Sequence, residues 1–483
     1  MAFLLLSTFI LPLIVCVVLN LVKFKEISLK YIIITIVAGV NLILAVINAK
    51  VNNTSFTILK LSQDMAITFG IDGISNIFAI LINTMFLIVA IYSIGYVKKE
   101  KNEKIYSTAF LLSLSALNIL CYSKNLVTMY LCFEMVSIFS MPLVLVNMDK
   151  PAINATLKYL FYSLGGAFLG LLGVFFIEYA AISHEFVLGG VGLNLNGISK
   201  DLFLAVLLIA IIGYGAKAGM FPLHGWLPSA HPIAPAPASA LLSGVVAKAG
   251  VVAIIRVVYY TVGVDFIKGT WMQIVWIILA LLTVLMGSYM AFVQNIFKRR
   301  LAYSTVSQIS YAIFGLSLCT IEGLEGALLQ VIAHAMIKIA LFLYAGCVIY
   351  VYDYHDVDEL GAIGKKMPIS TWCYTIASMG LVGIPFTAGF MSKWYLAIGS
   401  IHSQVSLLSY IGPIVLLISA ILTAAYLFPI VVKGFFVGES KALYAKKEAP
   451  ISMQIALIIL AVLIIVVGVF VNPIINYMQS FLI

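Results

Sequence analysis

Apolar segments of roughly 17–25 residues recur from end to end of this chain, with almost no polar sequence between them. That repetition constrains the fold more than any motif. A bilayer core offers no water to satisfy backbone N–H and C=O groups, so each run has to be a helix. The runs fall near 2–22, 31–49, 72–97, 106–122, 126–147, 157–180, 201–220, 237–258, 271–293, 301–320, 325–351, 369–399, 407–432 and 452–473. The expected fold is an all-α polytopic membrane protein of about fourteen transmembrane helices, called spans 1–14 below. A soluble domain is excluded: charged residues make up only 10% of the 483, against roughly 25% in soluble domains.

The net charge of +9 is a matter of topology. Lys23, Lys25, Lys30, Lys98, Lys99, Lys101, Lys104, Lys150, Lys158, Lys298, Arg299, Arg300, Lys365, Lys366, Lys433, Lys441, Lys446 and Lys447 fall on one side of the fourteen spans. The other side holds Lys50, Lys60, Lys124, Lys200 and Lys268, with Arg256 at the outer end of span 8. The richer side is therefore expected to be cytoplasmic, with the chain multi-pass in the cell's cytoplasmic (inner) membrane and both termini outside. Met1 to Asn20 has no basic n-region, so it reads as a retained first helix rather than a cleaved signal. No aromatic-interleaved basic patch supports nucleic-acid binding. The six cysteines are scattered singly, with no C-x-x-C or Cys/His cluster, so neither a metal nor another cofactor is expected in this chain.

Inside the apolar runs, and not at their ends, sit Glu134, Lys217, Lys248, Lys338 and Lys393. A charge at the bilayer centre costs at least ~2.5–3.5 kcal/mol, and such residues mark ion or proton paths. His334 lies one helical turn from Lys338 and shares its face; histidine titrates near neutral pH and suits a relay between lysines. Lysines outnumber carboxylates here, so water or neutral lysines are required in a dry core. Lysine in an apolar site is disfavoured as a cation, and a carboxylate beside it restores the charge. Motion of Glu134 toward or away from Lys217 would then act as a switch.

Two spans are interrupted. In span 7, Gly213, Gly215, Gly219 and Pro222 surround Lys217; in span 12, Gly380, Gly383, Pro385 and Gly389 precede Lys393. Paired Gly/Pro-interrupted helices in two halves of a transporter point to its path and to inverted repeats. The expected organisation is an N-terminal three-helix segment (1–105), a first inverted repeat (106–260, spans 4–8), a second (261–435, spans 9–13) and a C-terminal helix (436–483).

Several stretches carry a family resemblance: Lys217-Ala-Gly-Met-Phe-Pro-Leu-His-Gly-Trp-Leu-Pro-Ser-Ala-His231, Ala234-Pro-Ala-Pro-Ala-Ser-Ala-Leu-Leu-Ser-Gly244, Lys248-Ala-Gly, Arg300-Leu-Ala-Tyr-Ser-Thr-Val-Ser-Gln308, His334-Ala-Met-Ile-Lys338 and Asp356-Val-Asp-Glu-Leu-Gly361. From about Asp72 to about Trp394 the chain resembles the antiporter-like proton-translocating subunits of respiratory complex I, membrane-bound hydrogenases and multisubunit Mrp cation/proton antiporters, the D component in the last case. The resemblance implies roles: Glu134 as the essential fifth-helix glutamate, paired with Lys217 on the broken seventh helix; Lys248 as the central lysine; His334 and Lys338 as the eleventh-helix pair; Lys393 as the terminal residue. It also implies partners: other antiporter-like and small helical subunits, and peripheral iron–sulfur, nickel–iron or NADH-oxidising subunits where redox chemistry drives transport. In an Mrp-like assembly sodium/proton exchange takes that place, with sodium handled by partners, because an axis of ammonium groups repels cations. Two other readings stay open: a quinone-binding redox subunit, and a structural scaffold without ion conduction. Glu134 and Lys217 also admit a purely structural pairing. His224 and His231 lie in the turn between spans 7 and 8, where packing, capping and proton exchange all fit. Asp72 reads as a helix N-terminal charge and Lys124 as a snorkelling span-end lysine. His184, His355, His402 and the Asp353–Glu359 run read as loop residues.

Overall fold

A computed structural model describes residues 2–24, 26–51, 54–62, 65–436 and 447–482. Lys25, Lys441 and Lys446, assigned above to the basic side, lie outside the described residues. Among the described residues, twelve helices are long and apolar enough to cross a membrane. They correspond to the expected spans except 10 and 12, and both exceptions have a physical reason. Span 10 is a single helix, Phe297–Ser317, whose Lys298, Arg299, Arg300 and run of Ser, Thr and Gln keep its apolarity low. Span 12 is split into Pro368–Val382 and Ala388–His402, each too short alone.

One addition to the helical expectation is a β-hairpin between spans 2 and 3: β1 (Thr54–Lys60) pairs antiparallel with β2 (Ala66–Ile71). Its β-branched and aromatic residues suit a pleated surface. The hairpin leads into Asp72, which caps span 3 by accepting the Ser75 N–H at 2.9 Å.

Burial is graded. Span 8 (Ala236–Val262) is buried along its whole length and span 11 (Ile321–Tyr352) nearly so, whereas spans 1, 2, 13 and 14 turn much of their apolar surface outward. Span 8 packs on spans 7 and 11, and span 11 on spans 10, 12 and 14. The lysine-bearing helices thus form the centre of the bundle. Span 8 also departs from α geometry at Leu242–Val246 and Val258–Val262, two π stretches that bracket the α segment starting at Lys248. Such stretches are rare and often mark functional sites.

A buried ion cluster ties the far end of span 8 to span 3. Arg256 grips Asp72 bidentately, Nη1 to Oδ2 at 2.7 Å and Nη2 to Oδ1 at 2.9 Å, with Lys124 3.4 Å from the same carboxylate. Lys124 therefore pairs inward instead of snorkelling. Lys30, Lys298 and Arg300 also differ from the surface charges expected of them. Lys30 is buried on Glu103 at 3.0 Å. Lys298 donates to the carbonyls of Pro232 and Ala234, where span 8 begins. Arg300 donates to the carbonyls of Gln294 and Tyr426. Loop position alone could not reveal these acceptors.

Candidate functional site

The break in span 7 follows from its glycines. The Lys200–Ala218 helix ends at Gly219, whose φ of 82° favours a residue without Cβ. The chain resumes as a helix only at Leu227. Trp226 Nε1 donates to the Ala216 carbonyl at 2.8 Å, which also accepts the Gly219 N–H in the last turn. Lys217 sits in that last turn, where the helix dipole favours a cation. Its ammonium donates to Tyr159 OH at 2.6 Å and Ser137 Oγ at 2.9 Å, with Ser163 Oγ at 3.5 Å.

Glu134 is not in contact with Lys217. It accepts from Tyr130 OH at 3.2 Å, one turn away on span 5, and is only partly buried. The expected pairing of Glu134 with Lys217 is therefore absent from this conformation. The reason is competition: three hydroxyls around Lys217, of Ser137, Tyr159 and Ser163, already offer it acceptors.

At the centre, Lys248 donates to the Ser243 carbonyl in the first π stretch at 2.7 Å and lies 2.6 Å from His334 Nδ1. Both side chains are buried. With Lys248 charged, Nδ1 is the acceptor and the ring proton sits on Nε2. Lys338, fully buried, donates to the Leu301 carbonyl at 3.1 Å and to Ser304 Oγ. Hydroxyl groups lie between the two lysines, although Lys248 bonds the Ser243 carbonyl and not its hydroxyl. Ser243 Oγ and Thr305 Oγ1 are 2.7 Å apart, and Thr305 donates to the same Leu301 carbonyl at 2.9 Å.

From Lys338 the polar groups continue toward span 12. Tyr426, near Ser304, donates its OH to Thr423 at 3.3 Å. Gln308 Nε2 reaches the same Thr423 hydroxyl at 3.3 Å, Gln330 Nε2 reaches Gln308 Oε1 at 3.1 Å, and Ser392 Oγ donates to Gln330 Oε1 at 2.6 Å. Ser392 adjoins Lys393. That lysine reaches back across the break to the carbonyls of Leu381 (2.7 Å) and Val382 (2.5 Å), the free end of the first half-helix. Gly383 makes room for it: a Cβ there would lie 2.8 Å from Lys393 Cδ.

Lys248 and His334 are thus brought into contact with Lys338 nearby, and a run of hydroxyls and amides extends as far as Ser392, the sequence neighbour of Lys393. No hydrogen bond among the described residues links the Lys217 cluster to Lys248. Sequence reasoning missed Ser137, Tyr159, Ser243, Gln330, Ser392 and Thr423. Uncharged polar residues are common in spans, and only their convergence on the lysines distinguishes them. His231 is buried with both ring nitrogens unpartnered, stacked on Phe342 at 4.7 Å. Among the described residues no group of three or more His, Cys, Asp or Glu side chains could hold a metal.

Two helices broken beside a lysine, packed around two deeply buried spans that carry the rest of the row, define an antiporter-like membrane subunit. Residues 123–419, more than half of the chain, match the family described as NADH:quinone oxidoreductase/Mrp antiporter, TM, and the chain belongs to that family. It is 31% identical to hydrogenase-4 component B of Escherichia coli over 83% of this chain and 62% of that protein, so the match spans less than two thirds of that relative. It is 29% identical to the N subunit of the NADH-quinone oxidoreductase of Desulforudis audaxviator over 84% of this chain and 82% of the relative. It is 27% identical to the D component of the Na(+)/H(+) antiporter of Alkalihalophilus pseudofirmus, over 91% and 88%. The fold is similar to a chain of an archaeal respiratory membrane complex, the membrane-bound sulfane sulfur reductase (TM-score 0.85, 24% identity, 99% and 97% covered). It is equally similar to a chain of the Mrp complex from a Dietzia species (TM-score 0.85, 19% identity, 99% and 96% covered).

Proposed function

We propose that the chain moves protons along Glu134, Lys217, Lys248, His334, Lys338 and Lys393 as one subunit of a larger membrane complex. The observation that carries this reading is the buried row Lys248–His334–Lys338, three titratable groups without a carboxylate partner, with the Ser243 and Thr305 hydroxyls between the two lysines. Groups so placed gain or lose a proton at small cost in rearrangement, and neutral states keep the core tolerable. The axis presents nitrogen donors rather than converging oxygens, which favours protons over sodium. Lys217 on its hydroxyls and Glu134 on Tyr130 represent the open position of the switch; contact between them would favour the charged lysine.

In this reading spans 4–8 (106–260) and 9–13 (261–435) are the two inverted repeats, each contributing one broken helix, with 1–105 and 436–483 flanking them. The basic loops face the cytoplasm and both termini lie outside. Partners are neighbouring antiporter-like and small helical subunits, and either redox subunits or sodium/proton exchange drives the transport. Glu134→Gln tests the switch: proton transport by the intact complex in vesicles should fall at least ~10-fold, and unchanged transport overturns it. Co-purification tests the driver. Iron–sulfur or nickel–iron proteins in the native complex indicate a redox machine, and only small membrane subunits indicate an antiporter.

A further inference from the structure

Two carboxylic acids are buried among the described residues, Asp72 and Glu325. Asp72 is held by Arg256 and Lys124. No cation contacts Glu325, and its Oε1 is buried without a hydrogen-bond partner. Gln479, from the C-terminal Asn472–Leu482 helix, hydrogen-bonds to its side chain. A lone ionised carboxylate is too costly to keep in an apolar site, so Glu325 needs either a proton or water.

Water has a place to stand. Glu325 lines a cavity of about 480 Å³ together with Lys268, Cys319, Glu322, His402 and Gln479. The titratable groups facing it are Glu322 of its own helix, Tyr395 and His402 of span 12, and Cys319 and Lys268 of the loops. Glu322 and His402 close one side of the cavity at 2.9 Å. His402 ends the second half of span 12, the half-helix that carries Lys393. Gly326 abuts the Leu396 backbone, where a Cβ would lie 2.8 Å from Leu396 N. Gln330, further along span 11, holds Ser392 beside Lys393. Glu325 precedes Gln330 by five residues, about 7.5 Å of helix rise. The carboxyl therefore lies on the part of span 11 that packs against the second half of span 12, with a polar cavity at the face where span 11 begins.

We propose that Glu325 is the outlet of the axis, the group through which a proton leaving Lys393 reaches the outer water. The Lys393 ammonium gives its proton through water to the Glu325 carboxylate, leaving a neutral amine and a neutral carboxyl. Glu325 then releases the proton to water in the cavity and returns to the carboxylate, and Lys393 is reprotonated from Lys338. No other reactant is needed. Glu322 and His402 keep the cavity polar and hydrated. The inference rests on the proton-path reading above and extends it past its last lysine.

The test uses the native complex in sealed vesicles. Glu325→Gln is expected to lower proton transport at least ~10-fold, and Glu325→Asp, which keeps the carboxyl, to restore most of it. Lys393→Ala separates the two ideas. Normal transport in Lys393→Ala overturns the axis itself; loss in Lys393→Ala with normal transport in Glu325→Gln overturns the outlet alone. A measurement on the unmodified protein guards against misfolded variants. A membrane-impermeant carbodiimide with an amine nucleophile, added outside, should label Glu325 in peptide mass spectra, increasingly as the outer pH falls. Labelling only from the inner side overturns the outlet.

Discussion

The 2.6 Å contact between Lys248 Nζ and His334 Nδ1 supports a quantitative prediction for His334→Ala. The Lys248 ammonium has three donors and two acceptors, the Ser243 carbonyl and the imidazole. Alanine removes one of these and leaves no polar group in its place. A hydrogen bond to a charged group contributes about 1.5–3 kcal/mol, so the charged form of Lys248 should become about 10- to 150-fold less favourable. In the proposed path the proton rests there between Lys217 and Lys338, so transport should slow by a similar factor. The assay is dye-reported acidification of vesicles holding the assembled complex, normalised to subunit content. His334→Gln restores an amide carbonyl that can accept from Lys248 but cannot itself titrate. It should recover the resting charge yet not the relay, and so fall between wild type and His334→Ala. Transport within two-fold of wild type in His334→Ala would refute the reasoning, because Lys248 would then have no need of its partner.

Gln330→Leu removes the amide that joins Gln308 to Ser392, and transport should fall at least ~10-fold while the complex still assembles, as judged by native gel electrophoresis. Arg256→Ala strands Asp72 without its bidentate partner and should cost about 3–5 kcal/mol of stability, read as a lowered Tm of the purified protein. Gly383→Ala forces a side chain into a position with φ 91° and against Lys393. It should destabilise the protein by about 1–2 kcal/mol and lower transport more than Tm alone explains. Tyr159→Phe deletes the 2.6 Å acceptor of Lys217 and should drive that lysine toward Glu134, measurable as a cross-link between Glu134 and Lys217 that wild type forms poorly.

The spans and both breaks were legible in the sequence because lipid permits only one backbone solution and because Gly and Pro leave unmistakable interruptions. The lysines stood out because a charge inside an apolar run is costly, whether it serves a path or a structural pair. The Glu134–Lys217 separation was not legible, since it depends on which hydroxyls the fold carries to Lys217 from spans 5 and 6. Arg256 and Asp72 lie 184 residues apart in the chain, and nothing in either neighbourhood announces the other. Lys298 looked like a loop charge because the carbonyls that accept from it, Pro232 and Ala234, become available only where one helix stops and the next begins. Glu325 passed unnoticed for a related reason: near a span end, a carboxylate reads as solvated until its burial is seen.

The π stretch at Leu242–Val246 has a consequence for how this chain can change over time. A π turn is the trace of one residue more than an α-helix needs for the same length, and it sets the angular phase of everything after it. Deleting a single residue there would yield a more regular and intrinsically sturdier helix. It would also draw the Ser243 carbonyl, which accepts from Lys248 at 2.7 Å, into the regular i→i−4 ladder of the helix. The irregularity is thus tied to the acceptor of a buried lysine, and a lineage could lose it only by giving up that contact.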